Sequence, residues 1–477
     1  MSTTPIRPAD PMQSPALSLE RRLQVAQSKL FFGLSPISLA LASTDWWLHL
    51  LSSPGAQMRL QNDAVHKVLD WVDHTGALAR QCADKHLNTL AGKAGDAPPS
   101  DAPTNPHKQD QRFDDAAWES FPWQSWIDAH ALGEAWWMQA TQLRGMQPHS
   151  REQMRFYASK WMDILAPGNT LLTNPQAIDA ALRSGGQSLL KGMKHAVDEW
   201  QQKMGMHPEG AATDALQPGQ GLAMTPGEVV MRNHMVELIQ YKPTTETVYE
   251  TPLLIFPPWI NKFYVMDLKP QNSLIKWIVD QGYTLFVVSW VNPDPSYADV
   301  GMDDYIREGY LTAMAEVRRI CGVKQINAVG YCIAGTTLGL TLAHLQRAGD
   351  ETVKSATFFT TLTDFSDPGE VSVFLDDDFV DGIERQTTED GILSKFYMSR
   401  TFSYLRSNDL IYQPAIKSYM MGEAPPAFDL LFWNSDGTNL PAKMAVEYLR
   451  GLCQRDEFAT SGFPVFGAPV NLSGVKV

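Results

Sequence analysis

The sequence INAVGYCIAGTTLGL, residues 326–340, decides the fold of this chain. It contains an apolar segment, a corner of small residues with a cysteine at its tip, and a segment with helical apolar spacing. A short apolar run predicts a buried strand, and apolar residues three and four positions apart predict a helix. The stretch therefore predicts a strand that turns tightly into a helix.

Elements of the same two kinds alternate before this stretch. Segments 252–259 and 283–290 are short, apolar and rich in β-branched or aromatic residues, which is typical of buried strands. Segments 272–282 and 303–322 have helical spacing, and each ends in glycine. Strands that alternate with helices predict a parallel sheet covered by helices. The sequence after residue 228 therefore predicts the α/β class.

The corner predicts a reactive cysteine. A tight strand-to-helix turn needs small residues around its tip, and Gly330, Ala334 and Gly335 meet that need. Cys332 would project from the tip, where the amides at the start of the helix would lower the pKa of its thiol. The backbone N–H of Ile333 would then donate to the oxyanion of a tetrahedral intermediate. This pattern predicts the nucleophile elbow of the α/β-hydrolase fold, with cysteine in place of serine.

On the corner alone, a second interpretation stays open: Cys332 is a small packing residue in a glycine-rich turn. The second half of an oxyanion hole normally comes from the loop after an earlier strand. The segment FPPWINKFY, residues 256–264, is in that position, and the backbone N–H groups of Trp259 and Ile260 are the candidates. The alternative is a turn that is merely stiffened by prolines.

Composition restricts the class of protein. The chain has 477 residues, enough for two domains, and its 44% hydrophobic and 19% charged residues describe a globular protein with a sizeable core. A formal charge of −14 argues against a nucleic-acid partner. The four cysteines, Cys82, Cys321, Cys332 and Cys453, lack the spacing of a disulfide framework or a metal site. We therefore expect free thiols and neither a metal nor another cofactor.

The first 227 residues predict a helical domain. Segments 94–112 and 207–227 are rich in proline, alanine or glycine without apolar periodicity, so they predict disordered linkers. Segment 29–55 is the most apolar, but glycine, proline and aspartate interrupt it, so no transmembrane segment is predicted. A helix that packs on its own protein is favoured there over a helix that lies on an apolar surface.

Five longer segments occur in one order along the chain: TPGEVVMRN, LLIFPPWINKFYVMDLKPQNSLIKWIVDQGYTLFVVSWVNPD, NAVGYCIAGTT, ATFFTTLTDFSDPGE and PPAFDLLFWNSDGTNLP. Together they resemble the class I polyhydroxyalkanoate (poly-3-hydroxybutyrate) synthases, from about residue 40 to the last residue. The resemblance implies a helical N-terminal domain over residues 1–227 and an α/β-hydrolase catalytic domain over 228–477. It also implies a cap at about residues 366–450.

The resemblance further implies an acyltransferase that polymerises (R)-3-hydroxyacyl-CoA into polyhydroxyalkanoate and releases CoA. Cys332 would hold the acyl group as a thioester before the 3-hydroxyl of a second unit attacks it. A thioester stays activated, so cysteine favours acyl transfer over simple hydrolysis. The implied setting is a cytoplasmic homodimer on the surface of a polyester granule.

The catalytic base is where the sequence departs from this family. The nucleophile needs an aspartate and a histidine later in the chain, and only His344 follows Cys332. Twelve residues of helix place His344 about 18 Å from the corner. The terminal GVKV resembles the start of the strand that precedes the family's aspartate and histidine. We therefore expect a C-terminally truncated member with little or no turnover.

Two other functions stay open at this point. One is a thioesterase or depolymerase-type α/β-hydrolase, against which the cysteine counts. The other is a catalytically inactive, granule-associated partner subunit, which the missing base favours. Asp436, in WNSDGTN, is interpreted as part of the cap's packing and not as catalytic. Ala334 stands where the family more often has glycine, and we expect little harm from its methyl group.

Overall fold

The computed structural model describes residues 36–90, 110–203, 217–424 and 429–477. These residues form two compact units. The helical unit comprises the described residues of Leu39–Thr213 and Phe402–Ala427. The sheet unit comprises those of Met1–Ser38, Asp214–Thr401 and Phe428–Val477.

The N-terminal region is helical, as predicted. Its helices are α1 (Pro36–Leu51), α2 (Pro54–Leu90), α3 (Trp123–Ala140), α4 (Pro148–Leu165), α5 (Pro175–Arg183) and α6 (Gln187–Lys203). Trp46 of α1 is buried against Leu60 of α2, and its indole donates to the carbonyl of Ala140 at 2.8 Å. Apolar packing of this kind, rather than helix propensity, stabilises most helices in proteins.

The apolar segment 29–55 divides into two parts. Residues 29–35 lie outside the described residues, and α1 contains most of the remainder. Trp46 packs into the helical unit, whereas the side chains of Leu48 and Leu51 are mostly exposed. No helix in the described parts of the chain combines the length and the apolar character needed to cross a membrane.

The centre of the sheet unit is a six-stranded sheet in the order β3-β4-β6-β5-β7-β8. The strands are β3 (Gly227–Arg232), β4 (Val236–Tyr241), β5 (Leu253–Phe256), β6 (Leu285–Trp290), β7 (Ile326–Tyr331) and β8 (Val353–Phe359). Strands β6, β5, β7 and β8 are parallel, and β3 and β4 join antiparallel at one edge.

Helices connect the parallel strands. They are α7 (Leu274–Asp280), α8 (Met302–Asp304), a π-helical segment (Tyr305–Leu311), α9 (Thr312–Cys321) and α10 (Ile333–Ala348). Ser273 caps α7 by accepting from the amide of Lys276, and Gly322 ends α9 in the left-handed conformation. Side chains from β5, β6 and β7, among them Ile255, Val287 and Val329, form one buried cluster. The mainly parallel sheet confirms the predicted α/β-hydrolase class.

The predicted cap segment, about residues 366–450, contains mostly helices. These include α11 (Asp377–Asp390), α12 (Lys395–Leu405), α13 (Gln413–Ala415), α14 (Asp429–Ser435), α15 (Ala442–Val446) and a π-helix (Glu447–Gln454). Hairpin strands β11 (Phe463–Val465) and β12 (Ala468–Val470) follow. The action of this segment as a cap, and the domain boundary at residue 228, stay predictions.

The two predicted linkers fall largely outside the described residues, which exclude 91–109 and 204–216. The end of the second linker differs from the prediction, because residues 217–227 are folded. They contain β1 (Gln217–Pro218) and β2 (Gly221–Leu222). Leu222 is fully buried beside Tyr264, and this contact offsets the weak local propensity of the segment.

Candidate active site

Cys332 lies at the tip of a strained turn between β7 and α10. Its backbone has φ 56° and ψ −128°, a combination that non-glycine residues adopt rarely and at a cost of about 1–3 kcal/mol. The turn is held from the neighbouring strand: the amide of Cys332 donates to the carbonyl of Phe359 at 2.7 Å. The hydroxyl of Thr361 donates to the carbonyl of Cys332 at 3.2 Å. The geometry is that of a nucleophile elbow.

Close packing at the corner leaves no room for a side chain at two positions, Gly330 and Gly335. A Cβ on Gly330 would lie 2.5 Å from the Cα of Gly335, and a Cβ on Gly335 would collide with the hydroxyl of Thr361. Ala334 fits without exposure to solvent, and its carbonyl accepts from the hydroxyl of Tyr310 at 2.7 Å. Small residues therefore permit the close approach of α10 to β7 that the sequence predicts.

The pKa of the Cys332 thiol shifts in the direction opposite to our prediction. Burial raises this pKa, and the hydrogen bond from the backbone N–H of Ile333 lowers it by a smaller amount. The prediction considered only the amides at the start of α10 and was wrong. Removal of water from the sulfur disfavours the thiolate more than those amides stabilise it. Cys332 therefore rests as a thiol.

This raised pKa predicts a specific pH dependence of alkylation. The thiolate is the reactive form, so the iodoacetamide rate at Cys332 rises with pH and levels off only above the pKa. We expect it to level off at a higher pH than for a cysteine in a short unstructured peptide, because the pKa of the folded Cys332 thiol lies above the ordinary thiol value. Peptide mass mapping separates Cys332 from the other three cysteines. If the rate at Cys332 levelled off at a lower pH than that of the reference thiol, burial would not raise the pKa of Cys332.

The loop after β5 lies beside the corner. Phe256, the last residue of β5, pairs with Gly330 of β7, so the chain that follows passes next to the elbow. Trp259 and Ile260 are buried there, and in the described structure their backbone N–H groups donate no hydrogen bond. The indole of Trp259 donates to the hydroxyl of Thr337 in α10 at 3.2 Å. The loop thus presents, near the start of α10, two amides without a hydrogen-bond acceptor among the described residues.

A segment far along the chain holds this loop in place. The hydroxyl of Tyr264 donates to the carboxylate of Asp436 at 2.7 Å. The indole of Trp433 donates to the carbonyl of Lys262 at 2.8 Å, and the backbone N–H of Thr438 donates to the carbonyl of Ile260 at 3.2 Å. The sequence interpretation of WNSDGTN as packing near the site is consistent with these contacts, but the loop after β5 as its partner could not be read from the sequence.

The two histidines of the sheet unit, His344 and His234, have partners other than Cys332. The ring of His344 packs against Phe466 with ring centres 4.8 Å apart, and burial lowers its pKa. His234 is largely exposed and pairs with Glu308 at 2.9 Å. Within the described ranges, burial and the Ile333 amide are the influences that shift the pKa of Cys332. The general base is therefore not identified among these residues.

The other cysteines have no comparable geometry. Cys82 is exposed, Cys321 is half-buried and Cys453 is buried, and all are free thiols. Burial raises the pKa of Cys453 to about 12. In the portion of the chain that the structure describes, no group of histidine, cysteine or carboxylate side chains could hold a metal ion.

Comparisons with known proteins agree with the resemblance. Two family descriptions match: "Poly-beta-hydroxybutyrate polymerase N terminal" over residues 14–55, and "Poly-beta-hydroxybutyrate polymerase (PhaC) N-terminus" over residues 109–278. A solved structure, a putative lipase from Sulfolobus solfataricus, is 13% identical and covers 50% of this chain and 82% of its own, with a TM-score of 0.29.

Curated relatives match over longer stretches. A poly(3-hydroxyalkanoate) polymerase of Methylorubrum extorquens is 40% identical over 78% of this chain, which spans 62% of that relative's length. Poly(3-hydroxyalkanoate) polymerase 1 of Ectopseudomonas oleovorans is 32% identical over 95% of this chain and 77% of its own length. On this similarity, the chain belongs to the family of poly(3-hydroxyalkanoate) polymerases.

Proposed function

We propose that this chain transfers (R)-3-hydroxyacyl groups from CoA to a growing polyester through a thioester on Cys332. The observation that carries the proposal is a cysteine, in a chain of the polymerase family, at the strained tip between β7 and α10. Backbone strain of this kind concentrates at functional sites. We assign the oxyanion hole to the backbone N–H of Ile333 on one side and to that of Trp259 or Ile260 on the other.

The first half of the reaction loads the enzyme. The thiolate of Cys332 attacks the carbonyl carbon of the acyl-CoA thioester, and the oxyanion is stabilised by the backbone N–H groups of Ile333 and of Trp259 or Ile260. The carbon–sulfur bond to CoA then breaks. CoA leaves as a thiolate and takes up the proton that Cys332 lost, so the acyl group has moved from one sulfur to another.

The second half lengthens the polymer. The 3-hydroxyl oxygen of another unit attacks the acyl carbon on Cys332, an ester bond forms, and the thioester bond breaks. The electron pair goes to the sulfur of Cys332, and the hydroxyl proton ends on that sulfur. Both halves are faster when a positioned base moves the proton. Among the described residues, no histidine occupies that place beside Cys332.

That same observation favours a second candidate, a catalytically inactive partner subunit. Such a subunit would retain the elbow without turning over substrate. A hydrolase of the same fold would have the same elbow as a polymerase. The two differ in product, which is a free hydroxy acid for the hydrolase and an ester oligomer for the polymerase. The homodimer, the cytoplasmic location and the association with polyester granules belong to the first proposal, and the family resemblance alone supports them.

One assay separates these functions. The purified 477-residue chain is incubated with (R)-3-hydroxybutyryl-CoA, free CoA is followed with a thiol reagent, and the acyl product is identified by mass spectrometry. Oligomeric ester that depends on Cys332 supports the polymerase. Free hydroxy acid in its place would establish a hydrolase, and a rate equal to that of buffer would leave the inactive partner subunit.

A further inference from the structure

Tyr448 is a residue near the elbow to which neither the sequence nor the proposed reaction assigns a role. It lies on the π-helix Glu447–Gln454, one turn before Cys453. After burial, the charge of Cys453 is the next influence that raises the pKa of Tyr448, so the two side chains are neighbours across that turn. π-Helical turns are rare and occur frequently at functional sites. The π-helix therefore makes Tyr448 a candidate functional residue.

Ring contacts place Tyr448 against the segments that follow β5 and β8. Its ring lies 5.6 Å from that of Trp259, edge to face, and 6.3 Å from that of Phe365. Trp259 follows β5 and Phe365 follows β8, the two strands that flank β7 in the sheet. Cys332 follows β7 itself. The tyrosine thus contacts the loops on both sides of the nucleophile.

The pKa of Tyr448 also indicates that its side chain lies near Cys332. Burial, and then negative charge at Cys453 and at Cys332, raise the pKa of Tyr448 well above its ordinary value. The phenol therefore keeps its proton when the thiol of Cys332 ionises, and it stays a hydrogen-bond donor. Tyr331 is the other described tyrosine whose pKa the charge of Cys332 raises, after burial. Its ring packs into the cluster of Ile255 and Val329 within the sheet unit.

We propose that the Tyr448 hydroxyl is a hydrogen-bond donor to the sulfur of Cys332, and that Cys453 competes for the same hydroxyl in the resting enzyme. The catalytic value of this donor rests on the proposed function. When the acyl–sulfur bond of the Cys332 thioester breaks, the electron pair moves to the sulfur, and the phenol stabilises it without giving up its proton. Hydrogen bonds to charged groups are the strong ones, and they favour the charged form.

The first test is Tyr448→Phe, which keeps the ring on Trp259 and Phe365 and removes only the hydroxyl. The readout is the pH at which alkylation of Cys332 by iodoacetamide levels off, which requires no polymerase activity. We expect this pH to rise by about one unit, because the thiolate loses a charge-assisted hydrogen bond. Tyr331→Phe is the matched control and is expected to give a smaller shift.

The second test is Cys453→Ala, which should move the same pH downward. Cys453 has a pKa of about 12 and stays un-ionised where Cys332 titrates, so its removal changes no charge. It only frees the hydroxyl of Tyr448 for Cys332. Circular dichroism and the urea midpoint establish that each variant is folded. If Tyr448→Phe fails to fold, the Cys453→Ala variant alone tests the assignment: a lower levelling-off pH supports it, and an unchanged or higher one overturns it.

Two outcomes overturn the assignment of Tyr448. One is an unchanged levelling-off pH in the folded variants, and the other is a shift in the same direction in Tyr448→Phe and Cys453→Ala, as general loosening of the site would produce. Because alkylation reports on the sulfur and not on turnover, either result is independent of whether the chain transfers acyl groups. Failure of the acyl-transfer assay with the two opposite shifts intact would instead count against the proposed function alone.

Discussion

Replacement of Cys332 by alanine is expected to reduce CoA release from (R)-3-hydroxybutyryl-CoA to the rate in buffer. The proposed path has no covalent intermediate without this sulfur, and the amides of Ile333, Trp259 and Ile260 would have no tetrahedral centre to stabilise. Removal of a covalent nucleophile typically costs about 10⁴–10⁶-fold in rate. The measurement is CoA release at pH values on both sides of the raised thiol pKa, so that the thiolate forms without a base on the alkaline side.

The matched controls are Cys82→Ala and Cys321→Ala, which remove thiols outside the elbow. Cys82 is exposed and Cys321 lies at the end of α9. We expect both variants to release CoA at the rate of the unmodified chain. Equal loss in Cys321→Ala, or full activity in Cys332→Ala with normal circular dichroism, would show that the nucleophile is elsewhere.

Replacement of Gly330 by alanine is expected to destabilise the sheet unit severely. The new Cβ would lie 2.5 Å from the Cα of Gly335 and 3.1 Å from its backbone nitrogen, and neither atom belongs to a flexible side chain. Relief requires α10 to move away from β7, which disturbs the pairing of β7 with β5 and β8. Overpacking of a well-packed site costs typically 1–3 kcal/mol and occasionally more, so we expect a loss of about 3 kcal/mol. Urea unfolding followed by circular dichroism measures it.

Gly382 offers the matched control. It lies inside α11, where an added Cβ meets no atom within 4 Å and the side is exposed to solvent. Alanine there should stabilise the protein by roughly 0.5–1 kcal/mol, because glycine is the poorer helix former. A Gly330→Ala variant as stable as Gly382→Ala would mean that β7 and α10 are not packed as described.

The elbow could be predicted from the sequence because its causes are local. Gly330, Cys332 and Gly335 lie within six positions, and the apolar segments on either side predict the strand and the helix that the structure contains. The pKa of Cys332 could not be predicted in this way. Its direction depends on how much water the folded chain removes from the sulfur, and that burial comes from distant residues.

The contacts that hold the loop after β5 could also not be predicted from local patterns. Tyr264 and Asp436 are 172 positions apart, and no periodicity or spacing connects them. The same is true of Tyr448 and Trp259, which meet only because a late helical segment packs against the end of the sheet. The fold class follows from repeated local signals, whereas the surroundings of the nucleophile follow from tertiary contacts that the fold creates.

The most direct test of the central claim is the location of the acyl group after one loading step. The chain is mixed with (R)-3-hydroxybutyryl-CoA at alkaline pH, quenched in acid, digested and mapped by mass spectrometry. We predict one hydroxybutyryl group on the peptide that contains Cys332, labile to hydroxylamine as a thioester is, and absent after prior alkylation of that cysteine. An adduct that accumulates first on Cys82, Cys321 or Cys453, or a Cys332 peptide that stays unmodified, would contradict the account.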